Sequence, residues 1–193
     1  FWNGGVTDGS TSTFGAAARK AGRLLDFALM RDKVSASDLL ERAFTWWDGA
    51  EPPRFLWLHV MDVHEPYLPT LRGLSRPHTA HYDTLKFFRN RWSLDERTTR
   101  RIKRLYDDCV GYLDEQLQGL DRFLTDDPIV VMTGDHGEAF GHGLVGHAQL
   151  YDETITVPYL STLDRPGDGP IRHLDIAPTI LDAVGASMPE QWE

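Results

Sequence analysis

A chain of 193 residues is long enough to bury one sizeable core. It carries 29 acidic against 20 basic residues, a formal net charge of -9, which speaks for solubility and against a nucleic-acid partner. A single cysteine, Cys109, excludes an internal disulfide and leaves the compartment open, and no apolar run reaches the ~20 residues of a membrane-spanning helix, so no membrane is expected as a partner.

The opening "FWNGGVTDGSTSTFG" sets two large aromatics in a Gly/Ser/Thr segment and reads like a loop from the middle of a protein. The chain is therefore expected to be a fragment. Phe14 to Met30 alternates apolar and basic residues at helical spacing. Ser37 is the expected N-cap of a second helix through Trp47, with Leu39, Leu40, Ala43, Phe44 and Trp47 on one face and Gly49 with Pro52-Pro53 ending it. "FLWLHV", Phe55 to Val60, has the pattern of a strand buried on both faces, with His59 buried inside it. Met61 to Tyr82, rich in Pro, His and Gly, is expected to be a long loop.

Ser93 or Asp95 starts a long helix to about Leu120, with Ile102, Leu105, Tyr106, Cys109, Leu113 and Leu117 as its apolar stripe. Cys109 then belongs to the core, and Arg97, Arg100, Arg101, Lys103 and Arg104 to the solvated face. "IVVM" is a second buried strand, and Thr156 to Thr162 a weaker third. Asp175 is the expected cap of a last helix, "IAPTILDAVG", stopped at Gly185. Alternating strands and helices imply a layered α/β domain without repeats or a second domain.

Two loops leave the carboxyl ends of predicted strands, where open α/β sheets place their ligands. The first carries Asp62 and His64 on a segment stiffened by Pro66 and Pro69. A histidine there can donate to an anionic ester or protonate a leaving group; a turn histidine bonded to backbone fits equally. The second, "TGDHGEAFGHGLVGH", holds Asp135, His136, Glu138, His142 and His147 among glycines. A carboxylate and an imidazole on a Gly-flanked turn can bind one cation. An isolated Asp-His-Gly is also an ordinary solvated turn, so chemistry alone leaves both readings open. His142 and His147, with Gly141, Gly143 and Gly146 suggesting close backbone approach to a ligand, weigh toward a metal or phosphate-type site.

In this order, the segments "FLWLHVMDVHEPYLP", "VVMTGDHGEAFGHGLVGHAQLYDETITVPYL" and "RHLDIAPTILDAVG" resemble the sulfatase branch of the alkaline phosphatase superfamily over roughly Phe55 to Gly185. The resemblance implies a layered α/β/α, alkaline phosphatase-like sheet, incomplete here at its N-terminal side. It implies hydrolysis of a small-molecule or glycan sulfate ester, or a phosphate or phosphonate ester, at a divalent cation: Ca²⁺ first, with Mg²⁺ or Mn²⁺ as alternatives. Asp135 and His136 match the family's metal-ligand pair. His64 matches the histidine that contacts the transferred sulfuryl group, and His147 stands where many members have a lysine touching that group. The family's C/S-x-P-x-R nucleophile segment and its Asp-Asp metal pair have no counterpart in this sequence. The resemblance therefore covers the C-terminal part of a catalytic domain. A non-catalytic domain that binds an anion or metal is the reading from another class.

Overall fold

The computed structural model describes residues 34–67, 87, 93–164 and 169–192. The helix expected over Phe14 to Met30, and the predicted loop from residue 68 to Tyr82, lie outside the described residues. The chain divides into two compact units. Among the described residues the first holds 34–67 and Arg104–Leu117; the second holds Phe87, residues 93–103, and 118–164 with 169–192.

The first unit begins with helix α1, Ala36–Gly49. Its cap is Ser35, not Ser37: the Ser35 hydroxyl accepts from the Asp38 amide at 3.2 Å, while Ser37 accepts from the Tyr112 hydroxyl at 3.0 Å. Both serines can cap in principle; the winner is the one whose extended backbone (φ -71°, ψ 154°) turns its hydroxyl back over the first turn. Ala36, Leu40 and Ala43 are buried on the face that the periodicity predicts. Asp62 reinforces the same terminus, accepting from the Ala36 amide at 3.2 Å.

Residues 55–60 do not form the strand expected of them. Phe55 and Trp57 are 73% and 78% exposed, His59 is exposed rather than buried, and Leu56, Leu58 and Val60 are half-buried. An apolar run becomes a strand only where a neighbour takes up its backbone groups. Among the described residues none pairs with this segment.

Helix α2, Glu96–Leu117, is shared between the units. Asp95 caps it, its carboxylate accepting from the Thr98 amide (2.8 Å) and hydroxyl (2.9 Å). Thr98, Ile102, Leu105, Cys109 and Tyr112 are buried along one stripe at alternating spacings of four and three. Cys109, fully buried, is core as expected. In the first unit Tyr67 and Tyr106 meet edge to face, 5.6 Å between centroids. A 3-10 segment, Gln118–Asp126, follows α2 and places Phe123 in the interior.

In the second unit, strand β1 (Val131–Thr133) pairs antiparallel with β2 (Tyr159–Ser161), Met132 opposite Leu160. Both strands are shorter and less buried than their apolar runs suggest: Ile129 is 39% and Leu160 54% exposed. Between them lie the loop from residue 134 and the short helix α3, Asp152–Ile155. The described elements are thus helices and a small two-stranded sheet.

Helix α4, His173–Ala183, closes the described fold. Arg172 is its N-cap and Asp175 stands three residues in, its carboxylate accepting from the Arg172 amide at 2.8 Å. The carboxylate serves the helix end as expected, but from inside the first turn. The stop at Gly185 is as read: its φ is +69°, Gly185 N–H donates to Asp182 and Ala186 N–H to Leu181, the paired bonds of a Schellman motif.

Two predictions follow from these ends. Ser35→Ala should lower stability by about 0.5–2 kcal/mol, read by denaturant unfolding. The Arg172 side chain, and then its backbone amide, hold the Asp175 carboxyl down to about 2. A depressed carboxyl contributes stability that is present above its unfolded pKa and lost as pH falls through the folded one. The α4 cap should therefore survive at pH 4 and fail between about pH 4 and pH 2; a carbon-detected titration of Asp175 with a midpoint near 4 would contradict this.

Candidate functional site

The loop 134–147 leaves the carboxyl end of β1, as the sequence reading requires. Its second half is a hairpin. His142 (φ +57°) and Gly143 (φ +74°) take positive φ in succession, and the Leu144 amide donates to the Gly141 carbonyl at 3.0 Å. Positive φ at both central residues marks the type I′ turn that suits the strand twist. Ala139 and Gly146 then exchange both backbone hydrogen bonds, 3.0 and 3.1 Å. Gly143 and Gly146 (φ +139°) thus serve backbone conformation, and a Cβ on Gly141 or Gly143 would meet nothing within 4 Å. These glycines build a turn, a role the sequence reading did not give them.

The close approach occurs at Gly137. A Cβ there would fall on the carbonyl oxygen of Glu153, and the Gly137 amide donates to Thr154 O at 2.8 Å. This seats the loop on α3. Thr154 is buried beneath it, its hydroxyl bonded to the carbonyls of Gln149 (2.5 Å) and Tyr151 (2.8 Å). His142 fastens the hairpin tip to the same helix: Nε2 lies 2.8 Å from Glu153 Oε1 and the ring stacks on Tyr151 at 4.0 Å. Glu153's own backbone N–H, and then His142, hold its carboxyl below the usual range. His142 therefore fastens the hairpin, whereas the sequence counted it toward a metal or phosphate-type site.

Asp135 and His136 stand together at the start of the loop. Asp135 is exposed and accepts from the His136 amide at 3.0 Å. His136 Nδ1 donates to the Gly137 carbonyl at 2.8 Å; a carbonyl only accepts, so the neutral ring carries its lone pair on Nε2. That nitrogen lies 3.9 Å from Asp135 Oδ1. Ligand distances of about 2.3–2.6 Å let both atoms reach one calcium-sized ion. One hard oxygen and one imidazole nitrogen fit a divalent cation as part of its donor set, with the backbone bond on Nδ1 fixing the ring.

His147 comes back to the same place. Its ring stacks on His136, 4.0 Å between centroids and 27° between planes. Its Nδ1 lies 3.3 and 3.4 Å from the two carboxylate oxygens of Glu138, whose side chain is only 4% exposed. His173, at the start of α4, bonds through Nε2 to the Gly134 carbonyl at 2.8 Å. Neither Glu138 as the partner of His147 nor His173 as a brace of the loop was singled out from sequence. The hairpin register would have found the first: two residues flanked symmetrically by Glu138 and His147. His64 belongs to the first unit, half-buried, with Nδ1 on the Glu65 carbonyl at 2.7 Å, the same tautomer again. Asp62, its companion in the sequence reading, accepts from the first amide of α1, at Ala36.

Gly137→Ala should therefore destabilise strongly, because backbone, not a flexible side chain, occupies the space. Gly143→Ala should cost about 1–2 kcal/mol for its left-handed φ. Gly141→Ala, with open space, should be close to neutral. Thermal melts of the three variants that failed to rank them so would overturn this account of the loop.

The family model described as Sulfatase matches residues 3–186. The chain is 31% identical over 111 residues to Choline-sulfatase of Rhizobium meliloti (strain 1021), covering 51% of the chain and 21% of that protein. It is 27% identical over 199 aligned positions to the Multifunctional alkaline phosphatase superfamily protein PehA of Trinickia caryophylli, covering 77% and 38%. It is 30% identical over 96 residues to Uncharacterized sulfatase YidJ of Escherichia coli (strain K12), covering 45% and 19%. The chain spans between about a fifth and two-fifths of the length of these relatives.

Proposed function

The chain belongs to the sulfatase family, and from that premise we propose that it is part of a metal-dependent hydrolase of sulfate esters, with an alkaline phosphatase-like, layered α/β/α sheet. The observation that carries the reading is the grouping of Asp135, His136 and His147 on one loop after β1, with the Asp135 carboxylate and His136 Nε2 3.9 Å apart. A choline-sulfatase among the relatives favours a sulfate ester. A relative described as multifunctional keeps a phosphate ester as the second reading.

Asp135 and His136 would hold the cation, Ca²⁺ in preference to Mg²⁺ or Mn²⁺. When bound, the cation supplies Lewis-acid polarisation of the ester. Asp135 brings formal charge, which a hard cation values more than the neutral lone pair of His136. His147, stacked beside the metal pair but with Nδ1 on Glu138, is assigned to the ester: its Nε2 meets charge on the sulfuryl oxygens or the leaving group. His64 is assigned by resemblance to contact with the transferred sulfuryl group. The sequence holds no C/S-x-P-x-R segment, so the nucleophile is assigned to the protein beyond these 193 residues.

The test uses the natural-length protein. An aryl sulfate should turn over faster than the matching aryl phosphate; the reverse would favour the second reading, and hydrolysis of neither would favour a non-catalytic domain. Asp135→Ala should lose metal, His136→Ala should lose less, and His147→Ala should keep its metal while kcat falls about 10²–10³-fold, the size of losing one oxyanion donor. Metal loss in His147→Ala with metal retained in Asp135→Ala would sink the assignment of roles.

A further inference from the structure

The hairpin register carries a second consequence. Ala139 and Gly146 form a hydrogen-bonded pair. In an antiparallel ladder the next pair outward is non-hydrogen-bonded, with Cα atoms about 4.5 Å apart and side chains at their closest. That next pair is Glu138 and His147. The two side chains share a face, opposite to Ala139, which is fully buried. Turn geometry therefore delivers the contact seen, Nδ1 at 3.3 and 3.4 Å from the two oxygens of Glu138. The bond is spread over both oxygens of a carboxylate whose side chain is 4% exposed. A carboxylate that far from water is costly unless bonded, and a carboxylate can only accept, so His147 must present Nδ1–H to it.

We propose that Glu138 is the positioning residue of His147: it holds the ring in one orientation and one tautomer, so that Nε2 is the atom that works on the ester. The inference rests on the assignment of His147 to the ester given above. The arrangement parallels the carboxylate that orients the histidine of hydrolytic triads, where losing the correct tautomer is what slows turnover. Glu138 touches no substrate atom; it acts through the ring.

The test compares two side chains of similar volume in the natural-length, metal-loaded protein. Glu138→Gln keeps an oxygen that can accept from Nδ1–H; Glu138→Met fills the space without one. With ¹⁵N-histidine labelling, and His147→Ala identifying the resonance, the wild type and Glu138→Gln should both show the Nδ1–H tautomer at His147. Glu138→Met should show a mixture. Metal content should stay the same in all three. In Glu138→Met, kcat should fall roughly 10–100-fold, the usual cost of losing a partner that orients a working side chain, with KM changing less. Glu138→Gln should recover most of that loss. If Glu138→Met keeps the wild-type tautomer and kcat, or if the two variants lose turnover equally with the tautomer unchanged, the proposal is wrong. The two readings fail separately: normal turnover in His147→Ala removes the role of His147 itself, whereas slow His147→Ala beside normal Glu138→Met removes only the role of Glu138.

Discussion

Two successive residues with positive φ, His142 and Gly143, set the geometry of everything around them. Once the chain turns there, Ala139 must face Gly146, and Glu138 must face His147. A carboxylate is then buried, and the imidazole that answers it is carried back to stack on His136. Glycine at the second turn position meets the conformational demand at no steric cost. Histidine at the first is among the few side chains that tolerate it, and there it also gains a use, because its ring reaches Glu153 and Tyr151.

The interactions that matter differ in kind from those that are most visible. Arg100 and Glu96 approach to 2.6 Å, yet both side chains are largely exposed, and an exposed pair one helical turn apart adds little. The Glu138–His147 contact is longer but screened from water on the carboxylate side. Removing one partner there leaves a buried acceptor unmet, a larger penalty than the bond itself contributes. Gly137 is similar: its importance lies in an atom it lacks, since the Glu153 carbonyl occupies that space.

Features of local origin were legible in the sequence. The stripe of α2 follows helical periodicity through Ile102, Leu105 and Cys109, the stop at Gly185 follows from glycine's freedom at φ +69°, and the α1 face was read correctly though its cap fell two residues earlier. Features that depend on pairing were legible only in part: the apolar runs around β1 and β2 were read as strands, but not how short the paired stretch is. "FLWLHV" has the composition of a buried strand, but composition cannot supply a neighbour, and His59 with it is exposed. In the site, the adjacency of Asp135 and His136 was legible because it is sequential. The glycines after them have a role in the turn that the sequence did not separate from ligand approach: a Gly-rich run looks the same whether it lets a ligand approach or lets a chain reverse. The symmetry of Glu138 and His147 about the turn was the missing signal.

That symmetry makes length, more than composition, the property this loop cannot vary. Lengthening one arm between Glu138 and His147 by a single residue would either bulge that arm or slip the register by one, and in a pleated ladder a slip of one carries side chains to the opposite face. Exchanging Phe140 or Leu144 for another apolar residue would leave the register unchanged. A one-residue insertion or deletion in an arm would separate the acid from the imidazole while leaving every residue type of the motif in place. Homologues whose loop differs by such a step should therefore be regarded as differently built sites, however well their letters align.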